Sequence, residues 1–272
     1  MPDETTSAAM PATTTPPSRK RRWLRRLLIA LVIIVGLPAA YYWYAHWSLA
    51  HDLDDAIGET DQLDPRWRLR DIEADRKPIA DEHNAALHVI SVVRLLGRNA
   101  PADHPDYTAV FEKNLTVLAQ LNAQQIDILR EAYEKMPEAF VEARKLKDMP
   151  AGRFPLTFRP LWIDTLLPNH QDARRVISLL AHDAMWRVQQ GDSDAALESC
   201  IALVNVSRAM GDEPLLITFL IRVNGLDALT TAVERCLAQG QPGDAVMKEL
   251  QTLLPSARAD LRAQFRSAVR GE

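Results

Sequence analysis

LLAHDAMWRVQQGDSDAALESCIALVNVSRAMGD, residues Leu179 to Asp212, holds two apolar runs of helical spacing separated by Gly191-Asp192. Starting a little upstream, Ala173, Ile177, Leu180, Ala184 and Val188 recur every three or four residues. That period predicts a helix capped by Asn169 and running to Gln190, with Arg175, Ser178 and His182 facing outward. Gly191-Asp192 breaks it, Asp194 to Met210 reads as the return helix, and Gly211-Asp212-Glu213-Pro214 breaks that in turn. An antiparallel helical hairpin is therefore the unit from which the fold is built.

The same period extends in both directions, and no convincing strand occurs after His51. Toward the N-terminus, Trp67 to Arg76 reads as a short helix stopped by Pro78. Asp81 is positioned to cap a helix through about Leu96, with Ala85, Val89, Val93 and Leu96 on one face. Tyr107 to Leu121 reads as the next helix. Asn122 with Gln125 forms a capping box for another reaching Met136, and Pro137 opens one to about Lys147. In DMPAGRFPLTFRPLW, prolines 150, 155 and 160 forbid a long helix, and Phe154, Leu156 and Phe158 alternate as in an extended segment laid across helices. Toward the C-terminus, Leu215 to Ile221 is apolar on every side except Thr218, which predicts the most buried helix. Two shorter helices, Asp244 to Leu254 and Ser256 to Val269, finish the chain. It ends at Gly271-Glu272 straight after a short amphipathic helix, as a truncated reading frame would.

Centred on GDSDAAL (Gly191 to Leu197), the hairpin Leu179 to Asp212 resembles one tetratricopeptide repeat, which implies stacked helical hairpins. It departs from that pattern at Ala184, where glycine is usual, and at Arg187, where an aromatic residue is usual. The segment RWRLRDIEADRKPIADEHNAAL (Arg66 to Leu87), with the N-terminal apolar run, resembles a group of single-pass bacterial envelope proteins that carries no assigned activity and so implies no catalytic residues.

That apolar run, LLIALVIIVGLPAAYYWY (Leu27 to Tyr44), spans roughly 27 Å as a helix, near the thickness of a bilayer core. Trp23 on one side and Tyr41 to Tyr44 with Trp47 on the other mark interfacial belts, so residues 23–47 read as a transmembrane helix. Residues 1–22 read as a disordered basic tail. Six basic against two acidic residues leave +4 up to Arg26, so a chain of net charge −4 carries −8 beyond it. The positive-inside rule then places the N-terminus in the cytoplasm and residues 48–272 in the periplasm of a bacterial inner membrane. A cleaved signal peptide is the competing reading, but cleavage after Ala40 would put Pro38 where a small residue is wanted.

Across 272 residues, 47% apolar against 25% charged excludes a wholly disordered chain, and two cysteines exclude a disulfide scaffold or a cysteine-rich zinc finger. Cys200 and Cys236 would sit about 16 Å out of register in a tight hairpin, which predicts two separately buried thiols. None of the seven histidines has metal-ligand spacing, and phosphate loops, nucleophile elbows and dinucleotide fingerprints are absent, so neither metal nor cofactor is expected. His170 and His182 read as residues of a polar face. Glu131 with Lys135, Glu138 with Glu142 and Asp183 with Arg187 read as solvated helix faces.

Arg222 and Asn224 stand out because they follow the apolar run of the last long helix. Their expected roles are an internal salt bridge or helix cap on one hand, and an anchor for an acidic ligand on the other. Phe158, Arg159 and Trp162 are the expected contacts of a recognition loop, if that stretch does more than cover core. The acidic outer domain opposes nucleic acid as a partner. The sequence thus predicts an all-α protein, with a transmembrane helix followed by stacked helical hairpins that bind or scaffold a protein, a peptide or an envelope component. An enzyme with a site assembled from scattered residues and a structural oligomer subunit are the alternatives.

Overall fold

Among the residues that the structure, a computed structural model, describes (19–111, 115–159 and 164–271), the chain forms ten α-helices and no strand. It divides into two compact units between Pro65 and Arg66. The first holds α1 (Arg19–Leu63), a single helix of 45 residues with Pro38 inside it. Its apolar window is long enough to cross a membrane and none of it is buried, so α1 is a candidate span. The helix starts four residues before the expected span and continues well past Trp47. Gly58 does not interrupt it, and it stops only before Asp64-Pro65, where the proline disfavours helix in the residue before it. Of the tail expected over residues 1–22, residues 19–22 form the start of α1, and residues 1–18 lie outside the described residues.

The second unit carries its own core, since every buried apolar side chain lies between Ile72 and Ala268. Its helices are α2 (Leu69–Asp75), α3 (Ala85–Leu96), α4 (Tyr107–Phe111), α5 (Ala123–Lys135), α6 (Pro137–Lys145), α7 (His170–Gln189), α8 (Ser193–Ala209), α9 (Leu216–Gln239) and α10 (Asp244–Gly271). The α7–α8 hairpin forms as its pattern requires, with Asp192 rather than Asn169 providing a side-chain cap, to the Ala195 N–H at 3.2 Å. All five apolar positions read from α7 are buried. The Asn122–Gln125 capping box closes at 2.9 and 3.0 Å.

Helix α8 is the centre of the unit, with 13 of its 17 residues buried between α7, α9, α10, α3 and α6. That place was expected of the helix beginning near Leu215, which buries 8 of 24. Helix α8 takes that place although it carries the polar residues Ser199, Asn205 and Ser207, all buried. Each finds a partner inside the protein: the Ser199 hydroxyl donates to the buried Asp183 carboxylate, Ser207 donates back to the Leu203 carbonyl, and Asn205 Nδ2 donates to the carbonyls of Leu146 and Lys147 at 3.0 and 2.7 Å, leaving only Asn205 Oδ1 without one.

Other boundaries move for local reasons. Asn84, not Asp81, caps α3, accepting from the Ala86 N–H, while Asp81–His83 form a 3-10 turn ahead of it. Helix α4 is described over Tyr107–Phe111, and residues 115–121, expected to continue it, are not helical; there Arg235 and Gln239 bond the carbonyls of Thr116, Val117 and Ala119. Helix α10 runs unbroken through Pro255, whose missing N–H costs one ladder bond. Beside it the Ser256 hydroxyl donates to the Leu253 carbonyl at 2.7 Å.

Two glycines fix how α9 lies on α8. A Cβ at Gly225 would meet Ser207 Oγ at 2.2 Å, and one at Gly240 would meet Ser193 Oγ at 1.9 Å. The helices are therefore antiparallel, with the connection Met210–Leu215 drawn out rather than tight. This shifts the register by about seven residues from a tight hairpin and brings Cys236 within about a turn of Cys200. The expected 16 Å offset is corrected accordingly. Both thiols are free and buried, and the hydrogen bond with Cys236, followed by burial, pushes the Cys200 thiol up.

The contact at Gly225 gives a direct test of this packing. Gly225→Ala should lower unfolding stability by about 1–3 kcal/mol through overpacking. Adding Ser207→Ala should recover most of that loss in chemical denaturation, whereas additive effects would place α9 elsewhere.

Candidate functional site

Three polar clusters lie within the helical unit, and their accessibility separates them. The first centres on Asp183, which is fully buried rather than on a solvated face. Its carboxylate accepts from Arg144 Nε and Nη2 at 2.9 and 2.5 Å, from Arg187 Nε at 3.1 Å, from Ser199 Oγ at 2.5 Å and from the Tyr133 hydroxyl. Burial and the neighbouring Asp183 charge push the Tyr133 phenol well above its usual range. With every acceptor direction occupied, this cluster holds helices together and offers nothing to a ligand.

The second cluster joins His170, Glu213 and Thr218, all buried. His170 Nε2 lies 2.9 Å from Glu213 Oε2 and 2.7 Å from Thr218 Oγ1, and the Thr218 hydroxyl donates to the same carboxylate oxygen at 2.7 Å. A proton relay needs the carboxylate and the hydroxyl on different imidazole nitrogens. Here both meet Nε2 in a sealed interior, so the trio is no hydrolytic triad.

His182 is likewise buried instead of outward. Its Nδ1 lies 2.6 Å from the Ser178 carbonyl and its Nε2 lies 2.9 Å from the Tyr107 hydroxyl. A neutral ring fits both contacts, donating from Nδ1 and accepting at Nε2.

The third cluster is open. A cleft of about 600 Å³ lies between the Lys77–Ile79 and Pro150–Arg153 segments, the end of α8, and α9 and α10. Its floor is a close backbone contact: Gly211 has φ +65°, and a Cβ there would stand 2.7 Å from the Gly152 carbonyl oxygen, so only glycine fits. Arg222 lines the cleft and is 4% exposed. Both of its described hydrogen bonds come from Nη1, to the Gly211 carbonyl and to Gln264 Oε1, each at 2.9 Å. Arginine has no acceptor, so the contact with Arg222 fixes the Gln264 amide with its oxygen inward. Gln264 Nε2 is left buried without a partner, as is Nη2 of nearby Arg76.

The charges around the cleft do not balance. Asp75 is held by Arg66, Asp212 by Arg76 and Asp260 by Arg208, while Arg153 is taken by Glu73. Among the described residues no carboxylate pairs with Arg222 or Lys77. Burial lowers the Arg222 guanidinium to about 10, against the pull of Asp260, and it stays cationic at neutral pH. A buried cation, an orphaned amide donor and acids already engaged together leave donor groups whose bonding an anionic group would complete.

Of the residues singled out in the sequence, only Arg222 belongs to this cleft. It has no salt bridge among the described residues, and its Nη1 donates instead to the Gly211 carbonyl just past the C-cap of α8. Asn224, about 200° around α9, is exposed and lines a different cavity of about 300 Å³ beside His182. Phe158 is half-buried, and Arg159 is exposed with its N–H donating to Thr165 Oγ1 at 3.2 Å. Trp162 lies outside the described residues. Gln264, Arg208 and Arg153 went unnoticed, because each sits in a local pattern of ordinary surface charge. No cluster of three His, Cys, Asp or Glu side chains suited to a metal ion occurs among the described residues.

Burial holds the His182 imidazole down at about 4 against its ordinary value near 6.5. The unfolded chain takes up a proton below about pH 6.5 that the folded chain refuses until about pH 4, so stability falls as pH drops through that window. The expected loss is about 2 kcal/mol between pH 7 and pH 5. Denaturation at several pH values should show it, and His182→Gln should flatten the slope; an unchanged slope would mean the ring is not sealed in.

Comparison of the chain with protein-family models, curated proteins and solved structures found no match, so the reading of this site rests on its own geometry.

Proposed function

We propose that the protein is a single-pass membrane-anchored binding module whose helical domain takes a carboxylate-bearing ligand, such as a peptide, a protein segment or an envelope component, in the Arg222 cleft without turnover. The observation that carries this reading is a buried arginine with no carboxylate partner among the described residues, beside an unpartnered amide donor in an accessible cleft. Anchoring is supported by the apolar window of α1 and its interfacial aromatic residues. The cluster of six basic residues ahead of that window supports a cytoplasmic N-terminus and a periplasmic domain. Catalysis is disfavoured by the one His–carboxylate–hydroxyl group described above, which is sealed and lacks a relay geometry.

Residues 66–272 contain the whole core and serve for a binding test. In a thermal-shift panel of short acidic peptides, each paired with its C-terminal amide, the free acids should raise the melting temperature more. Arg222→Gln should abolish the difference. Equal shifts for acid and amide forms, or a shift indifferent to Arg222, would overturn the assignment of the cleft.

Topology is tested in the full chain. A reporter active only outside the cytoplasm, fused after Glu272, should be active, and a cytoplasm-only reporter should be silent there. The reverse pattern would refute the periplasmic placement.

A further inference from the structure

Helix α9 turns a mixed face inward and an apolar one outward over its first half. Thr218, Ile221, Arg222 and Gly225 face the core, while Ile217, Leu220 and Val223 are 41%, 50% and 39% exposed. The apolar side does not end there, because Phe219 packs on Phe265 of α10 with ring centroids 5.1 Å apart, and Phe265 and Val269 are themselves exposed. At about 100° per residue, Arg258, Arg262, Phe265, Arg266 and Val269 fall within an arc of about 100° on α10. All five are exposed. Among the described residues, no acidic side chain pairs with Arg258, Arg262 or Arg266. Asp227, one turn beyond Val223, bounds the stripe on α9. The result is one apolar surface across two helices with a row of unpaired arginines along its edge.

We infer that this α9–α10 face docks onto an anionic lipid bilayer. Exposed aromatic and aliphatic side chains flanked by arginines are the composition of an interfacial helix, whose apolar residues enter the headgroup boundary while the guanidinium groups meet lipid phosphates. A proteinaceous partner would need carboxylates matched to a row of arginines, while a lipid surface presents its negative charge everywhere. Residues 66–272 hold 26 basic against 28 acidic side chains, a net charge of −2, so the row of arginines is a local excess on a nearly neutral domain. Screening over roughly 8 Å lets the local positive row prevail once the face is near. The inference does not depend on the Arg222 cleft, which opens on the opposite side of α9, nor on α1.

The test uses residues 66–272, which lack α1 and so leave the anchoring question untouched. Sedimentation with vesicles of phosphatidylglycerol and phosphatidylcholine should pull the protein down, and vesicles of phosphatidylcholine alone should not. Binding should weaken from 0.05 to 0.5 M salt. Neutralising Arg258, Arg262 and Arg266 together to glutamine should weaken partitioning roughly a hundredfold, at about fivefold per arginine. Leu220→Ser with Phe265→Ser should weaken it while preserving the salt dependence. These side chains are exposed, and an unchanged melting temperature would show that the variants fold. Equal binding to both vesicle types, no binding to either, or a concentration-dependent dimer that Phe265→Ser dissociates would each overturn the inference, the last by assigning the face to a second copy of the chain.

Discussion

The carboxylate of Asp183 is the interaction on which the helical unit depends. It projects from α7, and its donors come from α5 (Tyr133), α6 (Arg144), α7 itself (Arg187) and α8 (Ser199). An unpaired carboxylate at that depth would be costly, and the two guanidinium groups would be stranded if it were removed, an effect on the order of 3–5 kcal/mol. Tyr133 stacks on Phe140 with ring centroids 3.8 Å apart, and the Arg144 guanidinium lies over both rings, so the polar hub and the apolar core around it are one packed object. Around that object α8 is enclosed on nearly every side, which is why a helix with three polar side chains can occupy the centre.

Legibility from sequence follows the range of the forces involved. The α7–α8 hairpin, the Asn122–Gln125 box and the Pro137 start were readable because the turn residues, caps and apolar period that set them lie within a few residues of one another. The non-helical course of residues 115–121 was not, because the partners of its carbonyls, Arg235 and Gln239, lie more than a hundred residues away. Cys200 and Cys236 show the same limit. Their registry depends on how far the Met210–Leu215 connection is drawn out, and that is set by Gly225 settling on Ser207 and by Gly211 against Gly152. Burial of Asp183, His170 and His182 was invisible for a related reason, since a lone charged or polar side chain in a helical period is indistinguishable from a surface residue until its partners are in place.

The cleft was half legible. Arg222 attracts notice because a charge follows an apolar run, but the inference that the whole run must be buried holds only for Leu215 and Ile221. The apolar residues Ile217, Leu220 and Val223 point out and Arg222 points in. Residues that complete the cleft, Gln264 and Arg208 among them, lie in stretches rich in ordinary surface charge. Only the orphaned Nε2 of Gln264 and the pairing of each cleft carboxylate with an arginine distinguish them from solvated neighbours.

A helix with these two faces is unfavourable on both. Inward it buries a cation that receives no carboxylate among the described residues, and outward it leaves a continuous apolar surface in water. Sequence changes that exchange the two faces would remove both costs, so the arrangement calls for something that offsets each. An anionic ligand group in the cleft would offset the first by completing the bonding of Arg222 and Gln264. A bilayer interface would offset the second by covering Leu220, Val223 and Phe265 while its phosphates meet the α10 arginines. On this reading the two unusual features of the domain have one origin. On the two proposals together, the 24 residues of α9 would serve ligand recognition on one side and membrane contact on the other, with Gly225 settling the helix against α7 and α8 so that the two faces stay apart.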